Sequence, residues 1–236
     1  MAAGDFESSA YRLRSATDAS WPAQFAYGRR EGFWHRIGEA VRATARLIVP
    51  VVALLLSFIA VYLYLDTPVA MMGSDASWLT VGHLLVPVCF LSVHLTNRRY
   101  GPSYAFAQIV VALAIAVAFV MFAVPQLGEL VPFRIAPDLR IAVASGGAFL
   151  GAGFLSIVVF DGARGPRWWT APLFGLVSSV VLFCLIYYPA AYAGAAEWTH
   201  RMLTHMELLA GIAVLLLVPY WSLRAVVRPL PGFGGY

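Results

Sequence analysis

The chain contains no lysine; all 16 of its basic residues are arginines, set against 12 acids in 236 residues. Charged side chains make up 12% of it, about half of the roughly 25% that keeps the surface of a soluble domain wet. Hydrophobic residues reach 61%, and these proportions argue against a water-soluble fold. The two cysteines, Cys89 and Cys184, make no CxxC pair and no disulfide framework. Both fall in apolar stretches, where a thiol packs as a small hydrophobe. There is no phosphate-cradling glycine loop before a helix, no HExxH and no GxSxG, so no enzyme is expected. No carboxylate lies near the middle of an apolar stretch, which removes the support for a proton relay built on intramembrane acids. A cleavable leader is not expected either, because the first apolar run begins only at residue 47, behind a long polar tail.

What the sequence has in quantity is apolar runs long enough to cross a bilayer core, which takes about 20 helical residues. They lie at Leu47 to Leu65, Trp78 to Leu95, Tyr104 to Val124, Ile141 to Phe160, Trp169 to Tyr188 and about Met206 to Trp221. The strands of a membrane barrel would alternate with period two, whereas IVVALAIAVAFVMFAV is apolar on every face. The expected fold is therefore all-α, a transmembrane bundle of six helices. Arginine placement sets its orientation, since cytoplasmic loops carry the excess of positive charge. One side holds Arg29, Arg30, Arg36, Arg42 and Arg46, then Arg98 and Arg99, Arg164 and Arg167, and Arg224 and Arg228; the other holds Arg134, Arg140 and Arg201. Both termini are thus expected in the cytoplasm of a bacterial cell, with the bundle in the inner membrane. The net charge of +4 reports this topology rather than nucleic-acid binding, because no folded basic face is available to follow a phosphate backbone.

Three parts are expected: a cytoplasmic tail over 1–46, a transmembrane domain over 47–224 and a cytoplasmic tail over 225–236. Residues 1 to 32 show no steady apolar period and are expected to be weakly ordered. In FWHRIGEAVRATAR, at about 100° per residue, Phe33, Trp34, Ile37, Val41 and Ala45 share one side and His35, Arg36, Glu39, Arg42 and Arg46 the other. That pattern suits a helix over 33–46 lying on the inner leaflet, and equally a plain extension of the first span. Pro68, Gly73 and Ser74 mark one outer turn, Gly101-Pro102 and Gly165-Pro166 inner ones, and Pro125, Pro132 and Pro137 break another outer connection. None of these loops has room for a soluble domain, so any activity must be built within the bundle. In IAVASGGAFLGAGFLSIVVF, Gly147 and Gly151 make the GxxxG spacing that lets helices approach closely. Ser145, Ala152 and Ser156 lie near one face of the same helix.

Four segments together resemble the bacterial queuosine-precursor transporter family, also called vitamin uptake transporters. They are HLTNRRYGP at 94 to 102, RIAVASGGAFLGAGFLSIVVFD at 140 to 161, RWWTAP at 167 to 172 and VPYW at 218 to 221. The resemblance implies a bundle like the substrate-binding component of energy-coupling-factor transporters, and uptake of deazaguanine bases. No cofactor and no metal is implied. The chain departs from the family pattern where the chemistry should be. His94 stands where the family has an Asp before LT, Gly153 and Ser156 where it has a Gln and an Asp, Phe183 and Cys184 where it has an Asp-Thr pair, and His205 and Leu209 where it has an Asp and a Lys. Such losses are what a relative with a changed or lost substrate would show.

The polar side chains left in the spans are His83, Ser92, His94, Gln108, Ser145, Ser156, Ser178, Ser179, Tyr187, Tyr188, His205 and Glu207. From these, a site for a neutral aromatic small molecule would use His94 at the cytoplasmic mouth, Ser145, Ser156, Ser178 and Ser179 as hydrogen-bonding groups, and Phe183 or Tyr187 as stacking surfaces. Against this stands the bland alternative for each serine, a bond to its own backbone one turn back, and for His94 a bond to loop backbone. A second class of function is a haem-binding redox subunit, with His83 and His205 at similar depth on different helices. His83 and His94 cannot share one haem plane, being about 16 Å apart along one helix. A third is a non-transporting scaffold that meets a second copy or a membrane partner through Gly147 and Gly151. A cavity at mid-depth between the fourth and fifth spans favours transport, and a closed core there favours the scaffold.

Overall fold

The computed structural model describes residues 33–69, 78–123 and 138–231. The expectations for residues 1 to 32, for Gly73 and Ser74 and for the connection carrying Pro125, Pro132 and Pro137 fall outside the described residues. Two units are distinguished, Met1–Thr44 and Ala45–Tyr236. Seven α-helices are described: α1 Phe33–Leu63, α2 Val81–Tyr100, α3 Pro102–Ala118, α4 Leu139–Gly162, α5 Thr170–Tyr192, α6 Trp198–Leu215 and α7 Leu217–Leu223. A π-helical turn, Phe119–Ala123, prolongs α3, and α6 with α7 makes one apolar span, Trp198–Leu223. The fold is an all-α bundle of six long helical rods.

Among the described residues, five of these rods are long and apolar enough by themselves to cross a membrane. The exception is α2, whose composition is diluted by His83, His94, Thr96, Asn97, Arg98 and Arg99. Its neighbours explain why it tolerates them: α2 packs against α3, α4, α5 and α6, and between Val86 and Asn97 every side chain but Val88, Ser92 and Leu95 is buried. The peripheral helices show the reverse pattern. Val52, Leu56 and Ile59 on α1, Val110 and Val117 on α3, and Val143 and Val158 on α4 are exposed. Apolar side chains facing outward with no protein over them suit hydrocarbon and not water.

Helix ends follow from local chemistry. Thr80 caps α2 reciprocally with His83: Thr80 Oγ1 accepts from the His83 amide, and His83 Nδ1 accepts from the Thr80 amide at 3.3 Å. Gly101 takes φ +81° and ψ 178°, a conformation open essentially to glycine alone, and Pro102 opens α3 with its ring where no amide is needed. Asp138 caps α4 by accepting from the Arg140 amide at 3.1 Å, and the Arg140 guanidinium reaches the carbonyls of Ala190 and Ala193 at the end of α5.

Inside a membrane each carbonyl freed by a proline must find another donor. Pro87 within α2 cannot donate to the carbonyl of His83, one turn back. His205 Nε2, on α6, lies 3.3 Å from that carbonyl and supplies the missing N–H. A separate cross-helix bond, not one that replaces a missing proline amide, runs from Gln108 Nε2 of α3 to the carbonyl of Pro50 on α1 at 2.7 Å, and the same nitrogen is 3.1 Å from Ser92 Oγ of α2.

The small residues of α4 are used differently from the expected spacing. Ala144, Ala148, Ala152 and Ser156, every fourth residue, form the buried face, the ridge on which helices pack. A β-carbon on Gly151 would meet Ile186 of α5 at 3.3 Å, whereas one on Gly147 would meet nothing.

Candidate functional site

The middle of the bundle is filled. Phe90 of α2 stacks on Phe149 of α4 at 4.8 Å and meets Phe183 of α5 edge-on at 6.3 Å, and Phe183 stacks on Tyr187 at 5.3 Å. Gly153 admits Ile109, whose Cδ1 would lie 2.8 Å from an added β-carbon. His94, Ser156, Phe183, Cys184, His205 and Leu209 are all buried. The positions at which the resemblance leads one to expect polar groups thus do converge on the interior, and a packed aromatic and aliphatic core occupies it.

The serines named from sequence each bond to the backbone of their own helix. Ser145 donates to the carbonyl of Ala142, Ser156 to Gly153, Ser178 to Gly175 and Ser179 to Leu176, each within its own helix at 2.7 to 3.0 Å. Phe183 and Tyr187 are brought together, but as core neighbours. His94 is fully buried, stacked on Phe160 at 5.1 Å with rings 10° from parallel, and no protein atom is in hydrogen-bonding geometry with either of its ring nitrogens.

Accessible polar chemistry gathers instead at the end of the bundle where α2 and α6 begin and α5 finishes. A cavity of about 40 Å³ is lined there by Trp78, His83, Tyr188, Tyr192, Trp198 and Arg201 with two alanines. The buried His205 ring ties two of the lining residues together: Nε2 donates to the His83 carbonyl, so in the neutral ring Nδ1 accepts from the Tyr188 hydroxyl at 3.2 Å. His83 Nδ1 accepts from the Thr80 amide and lies 2.9 Å from its hydroxyl, which leaves Nε2 to carry the ring proton. Arg201 lies over Trp78 at 6.0 Å. The loop closing this mouth contains Gly194 at φ +91° and Glu197 at φ 60°, the second a conformation uncommon for a residue with a side chain.

This geometry bears on the iron-binding alternative. His83 and His205 rings touch edge to face with centroids 5.3 Å apart, and both nitrogens of His205 are engaged within the protein. Among the described residues no group of three or more His, Cys, Asp or Glu gathers as a metal site.

The opposite end is closed by a polar cluster that the sequence did not single out. Asn97 Nδ2 donates to Asp161 at 3.0 Å, Arg164 pairs with the same carboxylate at 2.7 Å, and the Arg164 guanidinium also reaches the side-chain and main-chain oxygens of Asn97. Beneath the bundle the tail is strapped to α2: Arg98 donates to the Val227 carbonyl, Arg99 to that of Arg228, and the Leu230 amide to that of Arg99. Asn97 and Asp161 both lie within segments already quoted for the resemblance, and their polarity at helix ends was the available signal.

Residues 80–223, from the cap of α2 to the last turn of α7, match the sequence profile of a family described as "Putative vitamin uptake transporter". The chain belongs to that family. It is also 29% identical over 168 residues to a protein of Haemophilus influenzae named "Probable queuosine precursor transporter", a match covering 64% of this chain and 71% of the relative. No solved structure matches the chain. Membership in a transporter family, with five helices able to cross a bilayer, makes this a multi-pass membrane protein. The family match begins at Thr80, so it takes in the Asn97 cluster and every mouth residue named above except Trp78, and it leaves out α1.

Proposed function

We propose that this vitamin uptake transporter carries a flat, nitrogen-rich aromatic base of the deazaguanine class, taken up at the Trp78–Trp198 mouth. The observation that carries the reading is the composition of that mouth. Aromatic faces from Trp78, Tyr188, Tyr192 and Trp198 offer stacking surfaces, and His83 and Arg201 offer donors to the edge of the base. Stacking of a base on an aromatic side chain contributes about 1–3 kcal/mol, and a few placed polar groups then set orientation. A cavity of about 40 Å³ holds water and not a base, so the mouth widens as substrate enters, with the Gly194–Glu197 loop moving. The mouth faces outward and both termini lie in the cytoplasm of a bacterium, in line with the arginine distribution.

Supplying labelled deazaguanine base to a bacterial strain lacking its own importer tests the proposal. Cells expressing the chain should accumulate label and recover queuosine in transfer RNA. Arg201→Ala and Tyr192→Ala should lower uptake at least tenfold, with the protein still in the membrane. No uptake by the unaltered chain rejects the substrate class.

The closed core between α4 and α5, together with the open position of Gly147, favours a second reading, a membrane scaffold that meets a second copy through α4. Replacing Gly147 and Gly151 with leucine should then abolish self-association while leaving the bundle folded.

A further inference from the structure

We propose that His94 sets how readily the Arg98 end of the bundle opens, acting as a buried polar wedge that disfavours the closed state held by the Asn97–Asp161–Arg164 cluster. This rests on the transport reading for its purpose and on the geometry for its substance.

His94 precedes Asn97 by one turn on the same face of α2, so it sits immediately behind the cluster. Its imidazole is sealed between the Phe160 ring and α5, where Gly175 leaves space for it. A β-carbon on Gly175 would lie 3.0 Å from His94 Cε1 and 3.1 Å from His94 Nε2. Phe160 in turn lies 5.3 Å beneath the Arg164 guanidinium. One ring therefore touches both the unpaired imidazole and the cation that closes the end.

Two opposed contributions meet in this space. Asn97, Asp161 and Arg164 satisfy one another only when α2, α4 and the chain following α4 are together. The ring nitrogens of His94 are fully buried, with the Gly175 backbone close by but in no good hydrogen-bonding geometry, and a buried polar group left poorly paired disfavours the state that buries it. Separation of α2 from α4 and α5 breaks the cluster but opens the imidazole to water, or to the edge of a departing base. An equilibrium balanced in this way can be moved by a small input, which a carrier that releases its substrate on this side requires.

Hydrogen–deuterium exchange on the full chain in lipid nanodiscs reads this opening without any substrate, so failure of the substrate reading leaves the test intact. Two variants remove the nitrogens: His94→Leu is close in size to imidazole, and His94→Phe keeps a flat ring on Phe160. In either variant that folds, amides of residues 95–101 and 160–170 should exchange about tenfold more slowly than in the unaltered chain, with a higher Tm. Uptake of labelled deazaguanine base should fall in parallel, while its Kd at the opposite mouth stays within about twofold. Unchanged or faster exchange in both variants overturns the proposal, as does slower exchange with undiminished uptake.

Discussion

His205 shows how one residue's identity follows from another far away in sequence. Pro87 frees the His83 carbonyl inside the bundle, and the His205 imidazole supplies its donor while accepting from Tyr188. His205→Ala leaves both groups unpaired and should destabilise the protein by about 1–3 kcal/mol. In a Pro87→Ala background the restored amide bonds the His83 carbonyl, so the same substitution should have a smaller effect; a thermal-unfolding double-mutant cycle measures the difference. Gly175 is a second constrained position. Gly175→Ala sets a methyl 3.0 Å from His94 and 3.1 Å from Phe160, both enclosed rings with little room to yield. Its Tm should fall, and a Tm equal to that of the unaltered chain would show that α5 shifts freely. The sequence could name His83, His94 and His205 as the polar residues that matter. It could not tell that one caps a helix, one answers a proline and one stands unpaired, because those roles depend on contacts up to 122 residues apart.

At the scale of elements, hydropathy located the spans well because lipid-facing helices need only be apolar and long. The least apolar helix, α2, is the one whose neighbours matter most, and its end at Tyr100 lies beyond the apolar run that ends at Leu95. The sixth span begins at Trp198 instead of Met206 because polar residues such as Thr199, His200 and Arg201 extend the helix to the mouth. Small residues on α4 were visible in sequence, but which of them pack inward depends on a four-residue ridge rather than on the GxxxG pair. A tighter approach occurs between α1 and the start of α2. A β-carbon on Gly82 would stand 2.5 Å from the Val61 carbonyl oxygen and 2.9 Å from the Leu65 nitrogen, both backbone atoms. Gly82→Ala should therefore lower Tm and speed proteolysis in the turn after α1, and it should do so more strongly than Gly147→Ala, whose surroundings are open.

For the whole molecule, the arrangement separates two polar ends by a largely apolar interior. The mouth at Trp78 and the cluster at Asn97 lie at opposite ends of α2, and the side chains between them are mostly aromatic and aliphatic. A base moving from one end to the other must part helices along α2, which is why a closed core is compatible with transport only if the bundle changes shape. The arginine distribution adds a directional claim. Reporters active only in the cytoplasm, fused separately to the two termini, should both be active, and silence from either would reverse or break the assigned topology. The most direct measurement of the central claim uses the purified chain alone, reconstituted into liposomes. Labelled deazaguanine base should accumulate inside at a rate that saturates with concentration and is lowered at least tenfold by Arg201→Ala. Equal label in protein-containing and empty liposomes would contradict the account.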